Sequence, residues 1–125
     1  MLKGYQFDID AQQTYTGQMY EERGRGFLAL RGQIVNVPEG KKPGSIGTTG
    51  DSDQLKSFIK MGDWNDVHII ARGNVMVHMI NGHVMSVVVD DDLSNRRMAG
   101  EIGIRLHKTP NAMKMETRQI RLKTF

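Results

Sequence analysis

The sequence predicts an antiparallel all-β sandwich of seven to nine strands, on three observations. The dominant hydrophobic period is two, β-rich runs are joined by two-residue turns, and no segment has the pattern of a long helix. At 125 residues the chain has the length of one domain with one core. We therefore expect a single β-sandwich domain over residues 1–125.

The N-terminal half contains short predicted strands. Tyr5, Phe7 and Ile9 alternate with polar residues, which is typical of a half-buried strand. Further strands are expected over residues 26–31 and 33–37, the second ending at Pro38. Residues 39–53 are rich in Gly, Lys, Ser and Thr and are expected to form a long exposed loop. Residues 54–61 fit either a helical turn or a short strand.

A three-stranded meander is the clearest element. Residues 67–72, 75–80 and 83–89 are β-rich runs separated by Gly73-Asn74 and Asn81-Gly82. Asn-Gly provides the positive φ values of a type I′ turn, so the register is fixed. This register places His78 and His83 on one face of the meander, together with Met85 and Val87. It places a second set of residues on the opposite face. That second set is His68, Ile70, Arg72, Val75, Val77, Met79, Val84, Ser86 and Val88.

Both faces of this meander are largely apolar, so we expect the sheet to be covered on both sides for part of its length. Two later strands are expected over residues 101–107 and 113–123. The apolar parity changes at Arg118-Gln119, which predicts a β-bulge there.

Composition excludes several classes of function. There are no cysteines, which excludes disulfides and thiolate chemistry. No apolar run is long enough for a transmembrane helix, and no signal peptide is visible. The net charge of +3 is spread along the chain and aromatic residues make up only 6%, so neither nucleic acid nor a membrane is an expected partner.

Several polar groups allow more than one interpretation. His78 is either a hydrogen-bonded histidine on a half-buried sheet or an acid/base or metal ligand in a groove. The run Asp90-Asp91-Asp92 suggests calcium, but it lacks the ligand spacing of an EF-hand and also fits a solvated strand end. Asp8 and Asp10 share the polar face of the first predicted strand, as a carboxylate pair or as solubilising charges.

Six short motifs together resemble the 3-keto-disaccharide hydrolase domain family. They are GYQFDID at residues 4–10, TGQMYEERGRG at 16–26, WNDV with ARGN at 64–74, HMING at 78–82, GIRLH at 103–107 and RQIRLK at 118–123. The resemblance implies a concanavalin A-like jelly roll that acts on 3-keto-glycosides. It also implies that the family's first strands have no counterpart ahead of residue 1.

The chemistry implied by the resemblance is elimination. A ketone at C3 acidifies the C2 hydrogen, so the glycosidic bond can leave by elimination, and water is added back afterwards. This chemistry needs a base near C2, a donor or a metal at the keto oxygen, and an acid for the leaving group. By position, the implied catalytic residues are His78 or His107 as base or ligand, with Arg118 stabilising oxyanion charge. The implied substrate-binding residues are Asp8, Asp10, Glu21, Trp64, Asn81 and Arg105. A divalent metal such as calcium is compatible with this chemistry, and the sequence does not name one.

Two positions depart from the family pattern. Arg105 stands where Gln is usual, and Thr117 stands where an aromatic residue is usual, which affects substrate contacts near His107. A jelly roll without its first strands exposes sheet edges and an apolar face, so we expect a homo-oligomer. Many family members are exported, which leaves localisation open.

Two functions compete at this point. The chain either cleaves keto-sugars or binds a glycan, or assembles, without chemistry. Proximity of His78, His107 and Arg118 in an open groove would favour catalysis. A solvent-facing aromatic platform from Trp64 or Tyr20 would favour binding, although Trp64 also suits a core position at the sheet end.

Overall fold

The computed structural model describes residues 2–125 and has eight strands and one short helix. The strands are β1 (Gly4–Phe7), β2 (Met19–Glu22), β3 (Gly26–Ala29), β4 (Gln33–Val37), β5 (Gly44–Thr48), β6 (Val67–Arg72), β7 (Val75–Ile80) and β8 (His83–Asp90), and helix α1 is Ser52–Ser57. They form a three-stranded sheet in the order β1-β2-β3 and a five-stranded sheet in the order β5-β4-β8-β7-β6. The predicted all-β sandwich is confirmed. One pair, β4 with β8, is parallel rather than antiparallel.

The predicted meander is β6-β7-β8, and its turns have the expected register. Arg72 pairs with Val75 across the first turn, and Ile80 pairs with His83 across the second. Asn81 has a φ of 49° and Gly82 a φ of 79°, as a type I′ turn requires. The Asn-Gly dipeptide therefore sets this hairpin by local chemistry.

A register shift at His78/Met79 changes one predicted face. Nearer the Asn81-Gly82 turn, Met79 pairs with Val84. On the far side of the shift, His78 pairs with Ser86. Ser86 and Val88 consequently lie on the buried face with His78, and the prediction that they lie opposite is wrong. An irregularity that adds one residue to a strand reverses the parity of everything beyond it, and alternation alone does not reveal this.

The core consists of two clusters, one between the two sheets and one between the α1 region and the large sheet. The first contains Met19, Leu28, Ala29, Val35, Val37, Met76 and Val88, and the second contains Leu55, Ile59, Ile80 and Met85. Gly17 is required beside the second cluster, because a Cβ there would lie 2.9 Å from Cβ of Met85. The other face of the large sheet carries Val75, Val77 and Met79, which are half-buried.

Three elements differ from the sequence expectations in the N-terminal half. β1 ends at Phe7, so Asp8 and Asp10 lie in a loop and not along a strand. β2 was not predicted, and β5 lies inside the segment expected to be a loop. All of β5 is exposed and two of its five residues are glycines, which explains why composition concealed it.

Helix α1 resolves the ambiguity over residues 54–61. The carboxylate of Asp51 accepts hydrogen bonds from the backbone N–H of Asp53 and Gln54, at 3.1 and 3.0 Å, and so caps the helix. Leu55 is buried in the second core cluster.

The two predicted C-terminal strands are not formed. Residues 101–125 contain no strand, so the predictions over 101–107 and 113–123, with the bulge at 118–119, are wrong. Apolar alternation gives a strand only where a sheet edge provides hydrogen-bond partners. This C-terminal segment is attached through side chains instead. Arg105 bonds Gln6 and Glu22, and Arg118 lies over Trp64.

Candidate functional site

The turn between β7 and β8 organises one polar surface, which we term the Asn81-turn site. It comprises Phe58, Trp64, Asn65, Asn81, His83 and Arg118. The amide nitrogen of Asn81 donates to the carbonyl of Phe58 at 2.8 Å and to Oδ1 of Asn65 at 2.9 Å. Its Oδ1 accepts from the backbone N–H of Asp66 at 2.9 Å. Asn81 thus ties the loop before β6 to the hairpin and acts as a positioning residue.

Trp64 and Arg118 meet on the outside of this loop. The guanidinium carbon of Arg118 lies 3.9 Å from the centroid of the Trp64 ring, within cation–π range. Trp64 is 42% exposed, so it is not the core anchor that the sequence also allowed. An indole and a guanidinium are therefore presented to solvent together.

His83 is connected to the Asn81 turn through Phe58. Its ring stacks on Phe58, with centroids 3.6 Å apart and planes 2° from parallel. Phe58 packs against the second core cluster, so the ring on which His83 stacks is itself held by the core. The sequence identified His83 as a histidine of the meander and gave it no role. The signal that could have found it is its position directly after Asn81-Gly82.

His78 lies in a closed environment. It is 3% exposed and its ring lies 4.3 Å from that of Phe7, between the two sheets. Burial lowers the pKa of His78 to about 4, so the imidazole is neutral at neutral pH. Its Nδ1 has no hydrogen-bond partner within the described part of the chain. Within residues 2–125, no hydrogen bond or ring contact joins His78, His107 and Arg118.

The remaining predicted residues are dispersed. His107 is exposed in the C-terminal segment. Arg105 donates from Nη1 to Gln6 at 3.0 Å and to Glu22 at 2.7 Å. Asp8 accepts from Gln18 at 2.7 Å.

Asp10 has a local role in the loop after β1. Its carboxylate accepts from the backbone N–H of Thr14 and Tyr15, at 3.1 and 2.8 Å, and from the Thr16 hydroxyl at 3.0 Å. These bonds close a tight loop. Of the predicted site residues, the structure brings together Trp64, Asn81 and Arg118.

A second polar group, which we term the Arg25 cluster, lies between the sheets. The terminal nitrogens of Arg25 donate to the two carboxylate oxygens of Asp90 at 2.9 and 2.6 Å. Its Nε donates to Glu21 at 2.6 Å, and Nη1 reaches Asp92 at 3.3 Å. The Tyr5 hydroxyl donates to Asp90 at 2.6 Å. Glu21, Asp90 and Asp92 are all buried, so Asp90 and Asp92 belong to an ion cluster and not to a solvated strand end or a calcium loop. Asp91, between them in sequence, is exposed.

The ionisation of this cluster follows from its contacts. Hydrogen bonding to Asp90 raises the pKa of Arg25 above its ordinary value. Burial disfavours the charged form of Asp90, but the hydrogen bonds from Arg25 and Tyr5 outweigh it and lower the pKa of Asp90. Burial, with the bond to Asp90, raises the pKa of Tyr5, so the phenol stays protonated.

Two openings flank the Arg25 cluster. A cleft of about 150 Å³, the Tyr5 cleft, is lined by Tyr5, Ala71, Gly73, Asn74, Met76, Arg96, Arg97 and Met98. A groove of about 440 Å³, the Phe27 groove, is lined by Arg25, Phe27, Leu28, Ala29, Leu30, Gln33, Val35, Lys42, Pro43 and Ser45. The guanidinium groups of Arg96 and Arg97 give the Tyr5 cleft the positive charge that an oxyanion would need. Neither opening is lined by an imidazole or a carboxylate that could serve as a base.

Comparison with known proteins decides the family. A family model described as the 3-keto-alpha-glucoside-1,2-lyase-like domain matches residues 1–123. The chain belongs to this family. The resemblance carried by the six motifs is thereby confirmed for this lyase-like domain over nearly the whole sequence. No curated protein and no solved structure matches the chain.

The lyase-like domain has two further features that bear on its function. Among residues 2–125, no group of three or more His, Cys, Asp or Glu side chains is arranged to hold a metal ion. In the same part of the chain, no helix has the length and apolar character needed to span a membrane.

Proposed function

We propose that the chain cleaves 3-keto-α-glucosides by elimination across C1 and C2. The observation that carries this proposal is the family match over residues 1–123. A base removes the C2 proton and the electron pair moves to the C3 oxygen, giving an enolate. The enolate then re-forms the ketone, a C1–C2 double bond forms, and the C1–O bond breaks. The departing oxygen takes a proton, so the products are a 3-keto-glycal and the free alcohol.

Three side chains of the Asn81-turn site support this proposal. Arg118 is exposed and can donate to the enolate oxygen. Its guanidinium covers part of the Trp64 ring, and the exposed remainder of that side chain can contact the sugar. We propose His83 as the base at C2, since its imidazole stacks on Phe58, whose carbonyl accepts a hydrogen bond from Asn81. His78 and His107, the bases implied by the resemblance, remain alternatives. A role for His78 requires the sheets to open, because it is enclosed.

The test uses a 3-keto-α-glucoside with a nitrophenol leaving group, assayed with and without divalent metal. We expect His83→Ala to reduce kcat/KM by about 10²–10⁴-fold and Arg118→Ala by about 10²–10³-fold. His68→Ala, an exposed histidine on β6, and Arg121→Ala, an exposed arginine, are the matched controls. The variants His78→Ala and His107→Ala identify the base if His83→Ala retains activity.

Exchange at C2 isolates the proton-transfer step. In D₂O, a 3-keto-α-glucoside with a poor leaving group should incorporate deuterium at C2 with the wild-type chain. The Arg118→Ala variant should lose this exchange, because the enolate is no longer stabilised. Absence of both cleavage and exchange under every metal condition would overturn the proposal.

Glycan binding without chemistry is the second candidate, and the exposure of Trp64 favours it. It predicts that the wild-type chain binds an α-glucoside, loses that binding with Trp64→Ala, and shows no cleavage or exchange.

A further inference from the structure

An aromatic cluster lies on the outer face of the small sheet, away from the Asn81-turn site. Phe27 and Tyr15 are each 51% exposed, and their rings lie 6.3 Å apart at 26°. The rings of Tyr20 and Phe27 lie 5.0 Å apart in a T-shaped arrangement, with 74° between their planes. The register of β2 with β3 fixes this pair, because Tyr20 lies directly opposite Phe27. An exposed aromatic cluster of this kind marks a contact surface.

Phe27 also forms one wall of the Phe27 groove. Its volume of about 440 Å³ falls within the range of small-molecule sites. Leu30 and Pro43 add apolar surface, whereas Gln33, Lys42 and Ser45 add polar groups. The groove therefore combines aromatic and aliphatic lining residues with hydrogen-bonding groups.

The polar groups of the groove retain bonding capacity. The Gln33 side-chain oxygen accepts from the backbone N–H of Leu30 at 2.9 Å, which holds the amide and leaves its NH₂ to donate. The Ser45 hydroxyl donates to the carbonyl of Gly47 at 3.3 Å and can still accept. Lys42 is exposed and forms no ion pair within residues 2–125.

We propose that the Phe27 groove is a carbohydrate-binding subsite that holds one pyranose ring of an α-glucoside. The apolar C–H face of the sugar stacks on Phe27, and its hydroxyls bond Gln33, Lys42 and Ser45. A purely aliphatic ligand would leave these polar groups without a partner, whereas the hydroxyls of a sugar can bond them. The sugar class rests on the proposed function, whereas the location rests on the groove itself.

The subsite is tested with maltose, an unoxidised α-glucoside that has no C3 ketone and cannot be eliminated. Binding is measured by saturation-transfer NMR and titration. We expect Phe27→Ala and Phe27→Leu each to weaken binding by more than about tenfold, the second because it keeps apolar volume and removes the ring. Phe27→Trp should retain binding. Phe125→Ala, an exposed phenylalanine in the C-terminal segment, is the matched control and should bind as the wild type does.

The outcomes separate this inference from the proposed function. Maltose binding that depends on Phe27, with no cleavage of the keto-substrate, supports the subsite and removes the catalytic proposal. The subsite is overturned if Phe27→Leu binds maltose like the wild type, if Trp64→Ala alone abolishes binding, or if the wild-type chain binds no maltose. Thermal unfolding of each variant shows whether lost binding reflects lost folding.

Discussion

Arg25 and Asp90 are joined by two hydrogen bonds, 2.9 and 2.6 Å long, between the sheets of the sandwich. Arg25 is on the turn that enters β3, and Asp90 is the last residue of β8, so the pair links the small sheet to the large one. Glu21 approaches from β2, and a Cβ on Gly24 would lie 2.5 Å from its carboxyl carbon. The glycine-rich turn therefore allows the approach of a charged side chain.

Removing Arg25 should strongly destabilise the fold. In Arg25→Met the buried carboxylates lose their common partner, and breaking a buried ion pair from one side costs about 3–5 kcal/mol. Urea denaturation at pH 7 measures the free energy of unfolding. Arg121→Met, at an exposed arginine, should stay within about 0.5 kcal/mol of the wild type. Equal stability of the two variants would show that the Arg25 cluster contributes nothing.

The destabilisation by Arg25→Met should shrink in acid. Because the pKa of Asp90 is lowered in the folded chain, its stabilising contribution is present above the ordinary carboxyl pKa and is lost as the pH falls through the lowered value. The wild type therefore loses this contribution in strong acid, and the variant has none to lose. The measurement is the difference in unfolding free energy between the two proteins from pH 7 to pH 2. A constant difference would contradict the ionised pair.

His78 should make stability depend on pH in a separate range. Burial lowers its pKa to about 4 from 6.5, so the unfolded chain binds a proton in this interval and the folded chain does not. Stability should therefore fall by up to about 3 kcal/mol as the pH decreases from 6.5 to 4. In His78→Leu, denaturation curves over this range should lose that slope, while His68→Leu should retain it. A wild-type curve that is flat from pH 6.5 to 4 would contradict the closed position of His78.

Asn81 should contribute in two separable ways. Asn81→Gly keeps the positive φ of 49° and removes the side-chain bonds, so we expect a loss of about 1–2 kcal/mol. Asn81→Ala also strains the backbone, which adds about 1 kcal/mol. Urea denaturation compares both with Asn111→Gly, an exposed control. Equal stability of the Gly and Ala variants would show that the left-handed conformation has no part in the effect.

The predicted homo-oligomer can be tested through its sheet edges. β6 pairs only with β7, and its Val67 and Ile69 are 43% and 52% exposed. An exposed apolar edge strand is a pairing surface, so light scattering should give at least twice the chain mass of 14.1 kDa. Ile69→Lys should shift the protein toward the monomer, and Ile46→Lys on β5 should not. A wild-type monomer would contradict the prediction, and dissociation only by Ile46→Lys would move the interface to β5.

The meander and the C-terminal segment differ in how well the sequence predicts them. Asn81-Gly82 determined a turn and a register because two residues carry the required φ values themselves. Ile102, Ile104 and Leu106 alternate with other residues as in a strand. Their side chains are nevertheless exposed, and none of the three residues belongs to a strand. Strand formation there depends on a partner edge, which no local pattern encodes.

For the candidate site, the sequence likewise identifies individual residues, and the tertiary structure determines which of them lie together. Trp64, Asn81 and Arg118 were identified from motifs, and their grouping depends on the loop that Asn81 holds. The sequence does not predict the Arg25 cluster, because Arg25 occurs there only within the motif at residues 16–26 and the aspartate run suggests calcium or a solvated strand end. The inward parity of Ser86, Val88 and Asp90 is the signal that could have found it, and the shift at His78/Met79 concealed that parity.

The sequence by itself determined the all-β class, the two turns of the meander with the pairs that flank them, and the family. These follow from hydrophobic period, turn chemistry and short motifs, all of which act over a few residues. Only the tertiary structure decided that His78 is enclosed, that Arg25 joins Asp90 over 65 residues of chain, and that Trp64 faces solvent beside Arg118. Burial and ion pairing depend on residues that are distant in sequence, so they are established only when the two sheets pack.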